Sequence, residues 1–78
     1  MDPIEVTAHF DEQGTLTPLQ FKWKGTLHHV ESSGRRWEDE RGLHILVMVM
    51  SGRILELTYR GEERRWFVSR AAPDRAVV

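Results

Sequence analysis

The stretch "GLHILVMVMSGRILELTYR", residues 42–60, contains the longest apolar run in the chain, and its interpretation decides the fold. Residues 45–50 carry no polar side chain, whereas a strand with one face in water alternates polar and apolar residues. Segments elsewhere do alternate, as "IEVTAHF" does at residues 4–10, and glycine-bearing turns separate them. This pattern predicts an all-β protein, an antiparallel meander of five or six strands that forms a small barrel or a strongly twisted sheet.

A two-residue turn at Ser51-Gly52 would fix which residues of this stretch share a face. It pairs Met48 with Leu55, Leu46 with Leu57 and His44 with Tyr59, and Leu46, Met48, Leu55, Leu57 and Tyr59 form a predicted core face. A four-residue loop at 61–64 would place Trp66 opposite Tyr59. The opposite face then gathers a second apolar set, the predicted interface face: Ile45, Val47, Val49, Ile54 and Phe67. Three structures could shield this face from water: closure of the sheet into a barrel or sandwich, the C-terminal tail at 71–78, or a second copy of the chain.

The length of 78 residues predicts a single domain, 1–78, near the lower limit for an independent hydrophobic core. Domains of this size commonly need a disulfide, a structural metal or self-association. Disulfides are excluded because the chain contains no cysteine. We therefore expect a non-enzymatic protein-interaction module, with an unknown protein partner, that self-associates as a homodimer through the predicted interface face.

The turn at Lys24-Gly25 predicts a second hairpin in the first half of the chain. A two-residue turn there places Phe21 opposite His28 and Gln20 opposite His29. His28 is thus expected among aromatic side chains and His29 in solvent. The "SSG" segment at residues 32–34 predicts a turn before a separate short strand, "RRWE".

The titratable residues predict no catalytic, cofactor or metal site. His28 and His29 are adjacent, so on a strand they point to opposite faces and cannot bind one ion together. The "EDE" segment at residues 38–40 lies beside arginines and is typical of a solvated turn. The serines lack the spacing to a base that an activated nucleophile requires.

Aromatic and arginine residues support an alternative function, the binding of single-stranded nucleic acid by a small β-barrel. Trp23 and Trp66 fall on predicted core faces, which leaves Trp37 as the partly exposed tryptophan. The predicted contacts are Arg35, Arg36, Trp37, Arg64 and Arg65. The net charge of −1 weighs against a general polyanion binder.

The chain does not open with a basic segment followed by an apolar one, which is the pattern of a secretory signal. The apolar run at residues 45–50 is far shorter than the roughly 20 residues that span a bilayer. These features predict a soluble, cytoplasmic protein that has no contact with the membrane.

The motifs "FKWKG…V…RRW" and "LELTYRGEERRW" resemble an uncharacterised family of small bacterial β domains. Its pattern is F-x-W-x-G-x-x-aromatic-x-V, then an R-W pair and a final hairpin with a tryptophan, and the match covers residues 16–70. The matching positions are Phe21, Trp23, Gly25, Val30, Arg36, Trp37, Leu55, Glu56, Leu57 and Trp66. His28 departs from the pattern, since an aromatic is usual there. In many actinobacteria such domains accompany a catalytically inactive, translesion-polymerase-like protein, so the resemblance implies a compact β domain with an indirect link to DNA metabolism.

Overall fold

Six antiparallel strands close into a barrel in the computed structural model, which describes residues 1–71. The strands are β1 (Asp2–Phe10), β2 (Leu16–Trp23), β3 (Thr26–Asp39), β4 (Gly42–Val49), β5 (Ile54–Arg60) and β6 (Arg65–Arg70). Each strand pairs with the next, and β1 also pairs with β6. Every described strand therefore has a neighbour on both sides. The prediction of an all-β meander in a small barrel is confirmed.

The β2–β3 hairpin has the predicted register. Phe21 lies opposite His28 and Gln20 opposite His29. Lys24 and Gly25 have φ angles of 51° and 76°. Two successive positive φ angles define the tight turn whose twist matches that of the flanking strands, so this loop contains two residues.

The β4–β5 register differs from the prediction by one residue. Val47 lies opposite Leu55 and Ile45 opposite Leu57. The loop has three residues, 50–52. The amide of Gly52 donates to the carbonyl of Val49 at 2.8 Å, and the amide of Val49 donates to the carbonyl of Arg53 at 3.0 Å. Gly52 has a φ of 89°, as expected for the last residue of such a loop. Because side chains alternate between the two faces of a strand, one extra loop residue moves each β4 side chain to the other face relative to β5.

This register places most of the predicted interface face inside the barrel. Ile45, Val47 and Val49 are at most 1% exposed and belong to one buried cluster with Phe21, Leu55, Leu57 and Val68. Ile54 and Phe67 lie on the outer face, so the five residues do not form one surface. Barrel closure is thus the cover for the first three residues. The alternative cover, the C-terminal tail, lies outside the described residues from position 72 onward.

Two strands contain irregularities that the sequence pattern did not predict. β3 runs continuously through 14 residues, with register shifts between Val30 and Ser32 and between Ser33 and Arg36. These bulges bend the strand, so the predicted turn at residues 32–34 is wrong. A further shift in the β1–β2 pairing leaves Leu19 48% exposed.

The alternating strand directions divide the connections between two ends of the barrel. The start of β1, the β2–β3 turn, the β4–β5 loop and the end of β6 lie together at what we call the basic end. The other three turns lie at what we call the acidic end. Described charged residues near the cavity at the basic end are Lys24, Arg53, Arg70 and Asp2. Those at the acidic end are Asp11, Glu12, Glu38, Asp39, Glu40, Glu62, Glu63, Arg36, Arg41, Arg60, Arg64 and Arg65.

Candidate functional site: the basic mouth of the barrel

A cavity of about 610 Å³ opens at the basic end, and we call it the basic mouth. Its volume lies within the range of about 300–1,000 Å³ that is typical of ligand sites. The residues that line it come from the barrel's first and last strands and from two hairpins: Met1, Asp2, Trp23, Lys24, Thr26, His28, Arg53, Val68, Ser69 and Arg70.

Trp23 is the central aromatic residue of the basic mouth. It is the last residue of β2, half-buried, and one part of its ring packs on the hydrophobic cluster. Its indole Nε1–H donates a hydrogen bond to Oδ2 of Asp2 at 3.1 Å. Because β1 and β2 are adjacent, this bond fixes the orientation of the indole at the rim.

Two cations lie against this indole. Nζ of Lys24 is 5.1 Å from the ring centroid, and Cζ of Arg53 is 5.5 Å from it. Both distances are within the range of favourable cation–π contacts. Lys24 comes from the β2–β3 turn and Arg53 from the β4–β5 loop. The ring of Trp23 therefore contacts two cations that lie far apart in the sequence.

The floor of the mouth is apolar and aromatic. His28 stacks on Phe21 with ring centroids 5.2 Å apart and lies 6.1 Å from Trp23. This confirms the predicted position of His28 among aromatic side chains, and His29 is exposed, as predicted. Val68, which is 1% exposed, also lines the cavity. Below these residues the barrel interior is filled by the buried cluster.

The basic mouth has a positive electrostatic balance. Three side-chain cations, Lys24, Arg53 and Arg70, line it together with one described carboxylate, Asp2. That carboxylate already accepts a hydrogen bond from the indole of Trp23. A cavity wall with cations beside an exposed aromatic edge can bind an anion that carries a planar ring.

A buried polar cluster on the outer face of β4 and β5 is a second site with possible chemistry. Nδ1 of His44 lies 2.9 Å from Oε2 of Glu56, and Nε2 lies 2.7 Å from Oδ1 of Asp39. Thr58 Oγ1 is 3.2 Å from Nδ1, and the Trp37 ring stacks on the imidazole at a centroid distance of 5.1 Å. The cluster joins β3, β4 and β5.

The contacts of His44 indicate a structural role. Both ring nitrogens lie within hydrogen-bond distance of carboxylate oxygens of the protein itself. The hydrogen bond from His44 is the main cause of the lowered pKa of Asp39, and the backbone amide of Arg41 contributes further. Both nitrogens are thus occupied by the protein itself, which leaves neither as a free base for a substrate.

Sequence reasoning missed this cluster because of the register error. The predicted pairing placed His44 opposite Tyr59, whereas it lies opposite Thr58. A useful signal was present: His44, Glu56 and Thr58 are polar positions within otherwise apolar strands. With a three-residue loop these positions share one face.

The residues predicted to contact nucleic acid lie in separate places, away from the basic mouth. Arg35 lies over the ring of Trp37 at 5.5 Å. Trp37 is partly exposed, as predicted, but Trp23 and Trp66 are partly exposed as well, so exposure does not single it out. Arg65 lies over a different ring, that of Phe67 on β6, at 5.4 Å. Arg65 lies at the acidic end, where β6 begins. The same end holds Arg36, whose Nη1 donates to the carbonyl of Leu16 at 2.9 Å, and Arg64, in the β5–β6 turn.

A smaller cavity of about 460 Å³ opens at the acidic end. Its apolar lining includes Phe10, Leu16, Leu43 and Tyr59. Gly42 closes one side, with a φ of 132° and a position against the carbonyl oxygen of Tyr59 that a Cβ atom could not share. This end is therefore tightly packed where β4 begins.

Comparisons of the chain with family models, with curated proteins and with solved structures found no match. The family resemblance of the sequence therefore stays a prediction. Within residues 1–71, no group of three or more potential ligand side chains is arranged to hold a metal ion. The described part of the chain also contains no helix long and apolar enough to cross a membrane.

Proposed function

We propose that this protein binds single-stranded nucleic acid at the basic mouth and catalyses no reaction. The observation that carries the proposal is the position of Lys24 and Arg53 at the ring of Trp23, beside a cavity that Arg70 also lines. Proteins that bind single strands combine cations for the phosphates with aromatic side chains on which bases stack. The cytoplasmic location that the sequence predicts would give access to such strands, and the predicted family resemblance would imply an indirect link to DNA metabolism.

The net charge of −1 does not oppose this function, because the charges are segregated between the two ends. A polyanion that approaches the barrel meets a local field, and the field at the basic mouth comes from three cations and one carboxylate. Carboxylates of the acidic end repel the same ligand. The separation of charges therefore directs a polyanion to the basic end of the barrel.

The structure favours this function over self-association through the predicted interface face. Ile45, Val47 and Val49 cannot contact another chain while the barrel is closed, because they are buried within it. It also favours binding over catalysis, because the titratable cluster at His44 is saturated by its own hydrogen bonds.

Fluorescence anisotropy of a labelled oligothymidine tests the proposal. We expect binding of the single strand and much weaker binding of a duplex of equal length, whose bases are already stacked. If the three cations of the mouth each contact a phosphate, the logarithm of the binding constant should fall against the logarithm of salt concentration with a slope of about −2. No binding, equal binding of the duplex, or binding that does not depend on salt would contradict the proposal.

A further inference from the structure

We infer that the basic mouth takes the end of a strand that carries a terminal phosphomonoester, rather than an internal segment, an inference that rests on the proposed function. The shape of the cavity, the arrangement of its cations and the position of its aromatic ring each support the inference.

The basic mouth is blind. Val68 and His28 line it, and the buried ring of Phe21 stacks on His28. The barrel interior beyond them is filled, since Val47, Leu55 and Leu57 are at most 1% exposed. A strand cannot pass through the barrel, and an internal phosphate could reach the bottom of the cavity only if the chain entered and left by the same opening. A terminal phosphate reaches it with one chain segment.

The cations surround the cavity instead of following a line. Lys24, Arg53 and Arg70 belong to three different segments: the β2–β3 turn, the β4–β5 loop and the end of β6. An internal phosphodiester carries one negative charge, whereas a phosphomonoester carries about −1.5 to −2 at neutral pH and exposes three acceptor oxygens. Several cations around one cavity match this concentrated charge, and arginine can bind two of its oxygens at once.

The indole of Trp23 is positioned to contact the base next to that phosphate. Its hydrogen bond to Asp2 fixes the ring at the rim, and Lys24 and Arg53 lie against it. A phosphate held by these two cations is therefore beside the ring. A terminal base has only one stacked neighbour in its own strand, so its other face is free for contact with the indole.

Four oligothymidines of one length and one internal label distinguish the possible ligands: a linear strand with a 5′-phosphate, one with a 3′-phosphate, one with two terminal hydroxyls, and a circle. We expect one of the phosphorylated strands to bind at least tenfold more tightly than the strand with two hydroxyls, and the circle to bind most weakly. The two phosphorylated strands identify which end the mouth accepts.

A double variant, Arg53→Gln with Arg70→Gln, should reduce the preference for a terminal phosphate to about one. The matched control is Arg64→Gln with Arg65→Gln, which removes two arginines outside the mouth and should keep the preference. Equal affinity for the circle and for all linear strands would overturn the inference but leave the proposed function intact. The absence of binding to all four strands would instead overturn the proposed function, and the inference with it.

Discussion

The two ends of this barrel are built from the same strands yet differ in charge and in packing. At the basic end, Lys24, Arg53 and Arg70 surround an open cavity of about 610 Å³. At the acidic end, the turns carry mostly carboxylates, and Gly42 packs directly against the backbone of Tyr59. The difference shows that a net charge near zero can conceal a directional surface, and that both ends of a closed barrel can open into cavities while the backbone is tightly packed at only one of them, at Gly42.

Reversal of charge at the basic end should have the largest effect. We expect Arg53→Glu with Arg70→Glu to weaken oligonucleotide binding by a hundredfold or more, because a hydrogen bond to a charged group contributes about 1.5–3 kcal/mol. The measurement is anisotropy at low salt. The matched control, Arg64→Glu with Arg65→Glu, should change the affinity less than threefold; a larger loss in the control than in the test variant would remove the distinction between the ends.

Glycine substitutions test the difference in packing between the ends. Gly42→Ala should lower the free energy of unfolding by about 3 kcal/mol, because its Cβ would collide with a carbonyl oxygen and its φ is 132°. Gly52→Ala, in the loop of the basic end, should cost only about 1 kcal/mol, since its φ is 89° but space for a Cβ is open. Urea unfolding measures both values. Equal losses would show that the acidic end is not the more tightly packed one.

The aromatic contribution should be smaller than that of the paired arginines. We expect Trp23→Ala to weaken binding of the single strand about tenfold, since stacking on an aromatic side chain contributes about 1–3 kcal/mol per base. Trp37→Ala is the control, because Trp37 lies on the outer face against His44. Circular dichroism should first establish that both variants fold. A tenfold loss in the control alone would move the stacking site from the basic mouth to the outer face.

The acidic end should also determine how stability responds to low pH, with a modest effect. Hydrogen bonds lower the pKa of Asp39, mainly from His44, and the pKa of Asp11, mainly from the amide of Thr15. Each of these carboxylates stabilises the folded protein while it is ionised. Its contribution is complete above the ordinary pKa of 3.8 and is lost as the pH falls through the lower pKa of the folded state. Asp39→Asn should therefore flatten the pH dependence of unfolding below pH 4, whereas Glu40→Gln, in the same turn, should preserve it; a steep dependence that survives in Asp39→Asn would contradict this origin.

The two central turns show how far sequence reasoning reached. Lys24-Gly25 and Ser51-Gly52 both end in glycine, and both invite a two-residue turn. In the first hairpin both turn residues have positive φ, so the predicted register is correct. In the second, only Gly52 has a positive φ, and Met50 enters the loop. The β5–β6 register was predicted correctly, with Tyr59 opposite Trp66. Leu55 and Leu57 are in the core as predicted, but the single error between β4 and β5 exchanged the two faces of β4.

The basic mouth was beyond sequence reasoning for a different reason. Trp23, Arg53 and Arg70 lie on separate segments that the alternating strand directions place at one end, and closure of β1 onto β6 arranges those segments around one cavity. The sequence emphasised Trp37 instead, because its neighbours in the chain are arginines. Adjacency in sequence thus identified the cation–aromatic pair of Arg35 and Trp37 but not the cavity.

The most direct test of the basic mouth as the nucleic-acid site is an NMR titration with an unlabelled oligothymidine. The indole Nε1–H signal of Trp23 and the amide signals of Lys24, Arg53 and Arg70 should shift together along one binding curve, while the indole signal of Trp37 stays unchanged. Shifts centred on Trp37, Arg35 and Arg65, or no shifts at saturating oligonucleotide, would contradict the account.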